Sequence, residues 1–307
     1  MPVSHHKIND RAGQRLDNYL LGHLKGVPKS RVYAMFRKGE VRVNGARVRP
    51  SVRLAAGDIV RIPPYRSLSS TPAVPRHPPA GRVDRIAAIL RAARLYEDDH
   101  LMVLNKPIGV AVHGGSGVSL GVIETLRAEE PDGNFELIHR LDRDTSGCLA
   151  IAKDRKTLLT QHELFREGSV KKVYDLIVQG CWPKRLRTVR DRLERYVLPD
   201  GERRMRVQFK GIAARTDFEI IDSSSSISWL RAYPRTGRTH QIRVHASARG
   251  HAILGDKKYA DRAISQGDVH RLMLHASSLT LSLNGTMRRF DAPLHDDFRR
   301  IWETMAV

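Results

Sequence analysis

Cysteine is nearly absent from the 307 residues: only Cys148 and Cys181 occur, far apart and with no CxxC or Cys/His ligand spacing. This excludes a disulfide framework and gives no reason to expect a zinc site. There is no run of about 18 apolar residues, so no membrane-spanning helix is expected, and the opening MPVSHHKINDRAGQR lacks the apolar stretch of a secretory signal. A reducing cytoplasm is the expected compartment, and His5–His6 reads as a solvated pair in a frayed terminus. Aromatic residues make up only 6% of the chain. Acidic residues are also scarce, at 33 against 53 lysines and arginines, for a net charge of +20.

Such an excess suits a polyanionic partner. It is concentrated near the N-terminus, where the first 94 residues hold 19 lysines and arginines against 5 acids. With no membrane signal to use it, the charge points to nucleic acid.

Local patterns divide the chain. Leu16, Tyr19, Leu20 and Leu24 recur at helical spacing and the pattern stops at Gly26 and Pro28. Ser30 is the expected cap of a second helix burying Val32, Met35 and Phe36, with Gly39 as its left-handed stop. This leaves Lys29, Arg31, Arg37 and Lys38 for solvent or RNA. Next, VRVNGARV carries Asn44-Gly45, the pair that favours a two-residue hairpin turn. The turn sets Val43 opposite Ala46 and Arg42 opposite Arg47, and the facing arginines would be relieved by a phosphate. Residues 63–81, PPYRSLSSTPAVPRHPPAG, read as an extended tether, with residues 63–93 taken together as the linker. Beyond it, strand-like runs such as LMVLN, CLAIA, YDLIVQG and FEIID mix with helical patterns at 119–128, 157–166 and 239–249, giving one α+β domain over 94–307. The glycines of GGSGVSLG fit neither a Walker loop nor a dinucleotide fingerprint.

The segment IHRLDRDTSGCLAIAKD places a charged loop directly before a strand. Taken alone, Asp142, Asp144, Thr145 and Ser146 could simply bond nearby amides. The string HRLDRDTSG, followed by KKVYDL and by TGRTHQIRVHASARGHAILGDKKY, resembles the RluA-type family of pseudouridine synthases. EDDHLMVLNKPIGVAVHGGSG extends the likeness, while RLDNYL, PKSRVYAMFRKGEVRVNG and LAAGDIVRI resemble an S4 RNA-binding domain over roughly residues 13–62, with residues 1–62 taken as that domain. The resemblance implies an S4-like domain followed by a catalytic domain with a mixed, mostly antiparallel sheet. The implied activity is isomerisation of uridine to pseudouridine in RNA, and the branch most alike implies 23S ribosomal RNA.

Residue roles follow where the strings match. Asp142 takes the catalytic carboxylate position, Arg243 pairs with it, Tyr174 stacks on the flipped base, and Arg140 helps hold the nucleotide out. An ionised Asp142 needs a partner in a dry pocket, and an arginine can supply two parallel hydrogen bonds. The S4-like residues Lys29, Arg31, Arg37, Lys38, Arg42 and Arg47 are the expected RNA contacts. No metal or redox cofactor is required, because the substrate supplies both fragments that rejoin. A monomer is expected, since no heptad or self-pairing segment is evident. Two alternatives stay open at this level: a non-catalytic RNA-binding or ribosome-assembly factor, and an N-glycosylase using Asp142 and Asp144, which share a side if the segment is extended.

Overall fold

A computed structural model of the chain describes residues 3–9, 11–24, 27–65, 80–114, 120–260 and 269–306. Gly26, the proline-rich stretch 66–79 and most of GGSGVSLG lie outside the described residues, as does the side chain of Lys29. The chain divides into two compact units, Met1–His77 and Pro78–Val307.

The first unit contains β1 (Ser4–Lys7), α1 (Leu16–His23), α2 (Lys29–Arg37), β2 (Arg42–Val43), β3 (Ala46–Arg47) and β4 (Ile59–Ile62). Its sheet runs β1-β4-β2-β3. The apolar stripes predicted for both helices meet this sheet in one core, with Leu16, Leu20, Leu24, Val32, Met35 and Phe36 all buried against Val41, Val60 and Ile62. Asn44 and Gly45 adopt positive φ of 50° and 78°, and the hairpin pairs Val43 with Ala46 and Arg42 with Arg47. Gly39, at φ 66°, ends α2. Two expectations fail here. Ser30 is not the cap, because α2 already begins at Lys29 behind Pro28, whose φ of −58° is preset for a helix entry. The histidine pair is not frayed, since β1 zips antiparallel along β4.

The second unit opens with α3 (Ala80–Ala92), so the end of the expected linker is helical; Ala87 and Leu90 at helical spacing are buried. Then follow β5 (Arg94–Glu97), β6 (Leu101–Lys106), α4 (Val122–Glu129), β7 (Glu136–Leu137), β8 (Ser146–Ala152), α5 (Arg155–Glu167) and β9 (Lys171–Gln179). The second half contains β10 (Thr188–Val197), β11 (Arg203–Val207), β12 (Ile212–Ser223), β13 (Ile227–Pro234), α6 (Gln241–Ser247), β14 (Leu274–Leu283), β15 (Thr286–Asp291) and α7 (Asp296–Met305).

One 11-stranded sheet runs β11-β10-β12-β13-β9-β14-β8-β6-β5, with β15 on β14 and β7 on β8. The β14–β8 pair is parallel and the other described pairs are antiparallel. β8 is buried along its whole length, as the apolar run CLAIA anticipates for a central strand covered on both faces. β9 lies mid-sheet between β13 and β14, and its Lys172 and Tyr174 line one cavity with the loop that precedes β8. α5 is capped by the Asp154 side chain, which accepts the Thr157 N–H at 2.8 Å, and stops at Gly168 in the left-handed region.

Candidate active site

The loop between β7 and β8 carries His139, Arg140, Leu141 and Asp142, and several bonds hold it in shape. The Thr145 N–H donates to Asp142 O at 3.1 Å, closing a turn, and the Gly109 N–H donates to Arg143 O at 2.9 Å. Lys106, fully buried at the end of β6, donates from Nζ to the carbonyls of Pro107, Val110 and Arg143 at 2.8, 2.9 and 3.2 Å. Burial pushes its ammonium down to about 7, against the attraction of Asp144 and Asp142. Below the loop, Gly147 takes φ +109° with Ala276 so close that a Cβ would lie 2.2 Å from its carbonyl oxygen. Ser146 Oγ sits 2.9 Å from His275 Nδ1 and accepts from Arg271 Nη2 at 2.6 Å.

Opposite this loop stands the segment from Pro234 into α6. Between them is a cavity of about 310 Å³ lined by Arg140, Asp142, Tyr174 and Arg243, together with Phe165, Lys172 and His240. The four residues assigned by resemblance therefore share one cavity. Asp142 is only 20% exposed, and its Oδ2 lies 3.3 Å from Arg243 Nη1. Tyr174, on β9, has its hydroxyl kept protonated chiefly by burial, with the Asp142 charge adding to the effect. His139 is held neutral, down at about 3, by burial and by Lys172, while its Nε2 accepts the Ala150 N–H at 3.0 Å. Arg140 is exposed at the cavity rim.

Two details differ from expectation. The two-bond grip of Arg243 goes to Asp256, through Nε at 2.8 Å and Nη2 at 2.7 Å, which leaves only Nη1 for Asp142. Asp256 is completely buried, and that fork is its ion-pair partner. Burial works against the Arg243 charge, and the Asp256 bonds override it, so the guanidinium is fixed as a cation before any substrate arrives. Asp144 does not share the cavity; it meets Arg143 at 3.3 Å, because the segment is a turn and residues two apart no longer face the same side. The paired-carboxylate arrangement of a glycosidase is therefore missing from the cavity.

Sequence reasoning assigned no role to Lys106, His240, Asp256 or Tyr259. Each lies within a string that carried the resemblance, but nothing in its spacing reveals a three-dimensional partner. His240 Nε2 is 3.5 Å from Asp142 Oδ2, and its Nδ1 is 2.6 Å from the Tyr259 hydroxyl.

An arginine-paired carboxylate beside an aromatic wall, on this sheet and in a chain that also carries an S4-type unit, defines an RNA-modifying enzyme of the pseudouridine synthase class. The chain belongs to the RNA pseudouridylate synthase family, whose pattern matches residues 100–248, and the S4 domain pattern matches residues 14–60. It is 46% identical over 301 residues to ribosomal large subunit pseudouridine synthase C of Escherichia coli (strain K12), covering 95% of this chain and 92% of that protein. The protein of the same name from Haemophilus influenzae is 45% identical over 303 residues, covering 96% and 92%. Among solved structures, human RNA pseudouridylate synthase domain containing 4 superposes with a TM-score of 0.61 at 26% identity, covering 73% of this chain and 97% of that one. The protein is thus an isomerase that acts on RNA. No described helix is long and apolar enough to cross a membrane.

Proposed function

We propose that the chain isomerises several uridines of 23S ribosomal RNA to pseudouridine, in the cytoplasm and as a monomer, with Asp142 as the reacting carboxylate. The observation that carries this reading is the Asp142–Arg243 pair at 3.3 Å inside a cavity walled by Tyr174. The large-subunit substrate is supported by near full-length identity of 45–46% to the relatives named above.

A uridine within folded RNA hides its glycosidic bond, so the nucleotide must leave its stack. Tyr174 replaces the lost stacking with its own ring, and Arg140 at the rim holds the nucleotide out. Asp142, paired with Arg243, acts at the ribose as the N1–C1′ bond breaks, either attacking C1′, to be displaced when C5 bonds there, or removing a C2′ proton that it returns to C2′ as C1′–C5 forms. The freed uracil stays in the cavity, turns and bonds to C1′ through C5; the proton on C5 departs and N1 gains one, so no atom is lost overall. Water must be kept from the intermediate, and the buried aromatic and aliphatic lining serves that end. In the S4 unit, Lys29, Arg31, Arg37, Lys38, Arg42 and Arg47 contact the RNA backbone.

The test is single-turnover conversion of transcribed 23S rRNA. The Asp142→Asn protein should lose about 100- to 10,000-fold in rate while binding the RNA normally. Equal pseudouridine yields from both proteins would reject the assignment.

A further inference from the structure

Three non-glycine residues have positive φ among the described residues, and two of them, Asn44 and Asn284, are turn asparagines followed by glycine. The third is His240, at φ 52° and ψ 20°, immediately before α6. A left-handed conformation is unfavourable for such a residue, and strain of this kind persists where surrounding contacts enforce it.

The contacts of the ring specify its proton. Tyr259 Oη accepts the Met205 N–H at 3.0 Å and lies 2.6 Å from His240 Nδ1; burial keeps the phenol protonated, so its O–H is free to donate to Nδ1. A neutral His240 then carries its proton on Nε2, which faces Asp142 Oδ2 from 3.5 Å, a short shift from a hydrogen bond. Burial favours the neutral ring. Asp142 and Asp256 draw it toward protonation and Arg243 and Lys258 oppose them, while Tyr259 faces Nδ1. Arg243 Nη1 also approaches Oδ2, and no hydrogen bond to Oδ1 occurs among the described residues. Arg243 therefore holds Oδ2 and His240 Nε2 faces the same oxygen, which leaves Oδ1 open.

We propose that His240 is a positioning residue for Asp142, a neutral donor whose tautomer is set by Tyr259 and which, with Arg243, anchors Oδ2 so that Oδ1 meets the ribose. A second cation would bind the carboxylate harder and blunt its reactivity; a neutral donor orients it without adding charge. The inference rests on Asp142 being the reacting group.

The experiment uses full-length variants, transcribed 23S rRNA, single-turnover rates and RNA binding. His240→Asn tolerates the left-handed backbone but cannot reach Asp142, so its rate should fall about 10- to 100-fold with RNA affinity unchanged. His240→Gln brings an amide N–H near the Nε2 position and should restore most of the rate. Tyr259→Phe should slow the wild type but have no further effect in the His240→Gln background, since it acts through the ring. Nitrogen-15 spectra of the imidazole should show the Nε2–H tautomer in the wild type and a mixture in Tyr259→Phe. A wild-type rate in His240→Asn, with Asp142→Asn inactive, overturns this role and leaves the Asp142 reading intact. Full activity in Asp142→Asn removes both. Additive losses in the Tyr259→Phe/His240→Gln protein overturn the tautomer role, and this arm still decides if His240→Asn does not fold.

Discussion

Arg243 is caught between two carboxylates, with Asp256 taking two of its donors and Asp142 one. A lysine offers a point charge without a planar fork, so it cannot orient toward both at once. Arg243→Lys should therefore lower the single-turnover rate by roughly 100-fold and destabilise the fold by about 3 kcal/mol, because Asp256 is left buried and poorly paired. A variant with an unchanged urea midpoint would show that Asp256 does not depend on the fork. His245 and His275 make a separate residue-scale prediction. Both are buried and held at about 4, chiefly by burial. The unfolded chain takes up their protons near pH 6.5 and the folded one only near pH 4. Their contribution is thus fully present above pH 6.5 and is lost as pH falls toward 4, by up to about 3 kcal/mol each. Urea unfolding across that interval should show the decline, with a shallower slope in His275→Gln; identical slopes would exclude His275 as a source.

Among the elements, β8 governs the site. Its N-terminal residues fix the Asp142 loop, and Gly147 allows β14 to approach in the parallel pair. Gly147→Ala introduces a Cβ where Ala276 backbone stands and forces a side chain into a φ of +109°. The expected cost is about 3 kcal/mol, a fall in Tm of roughly 5–10 °C, with activity lost in step because the loop moves with the strand. Calorimetry with parallel activity assays would check this, and a stable but inactive protein would separate the loop from the strand. The hairpin of the S4 unit was legible down to its register because Asn44-Gly45 selects a turn whose geometry is local. The helix α3 was not, because proline and serine just before it hid an apolar spacing that becomes meaningful only once Ala87 and Leu90 are buried.

Charge belongs to the whole molecule. Arg37, Lys38 and Arg47 are exposed, and Arg47 reaches over to the Arg37 carbonyl at 2.8 Å, which brings these cations together at the C-terminal end of α2. Arg31 is instead engaged by Glu40 at 3.2 Å, and Arg42 bends to its own turn at Gly45 O. If Arg37 and Lys38 bind phosphates, Arg37→Gln/Lys38→Gln should weaken RNA binding and flatten the dependence of log affinity on log salt by about 1 for each phosphate no longer neutralised. The rate at saturating RNA should not change. Affinity equal to wild type at every salt concentration would remove these residues from the interface.

The order of residues was enough to separate a basic helical and hairpin unit from the α+β domain that follows it, and to pick out Asp142, Tyr174, Arg243 and Arg140. Periodicity, turn chemistry and ordered motifs are properties of neighbouring residues, so they can be read along the chain. It took the folded arrangement to show that Arg243 spends its fork on Asp256, that Asp144 turns away, and that His240 and Tyr259 stand behind Asp142. These pairings join residues up to about a hundred positions apart and arise when α6 and the segment after it close against the β7–β8 loop. No local pattern encodes which atom of a side chain will meet which partner.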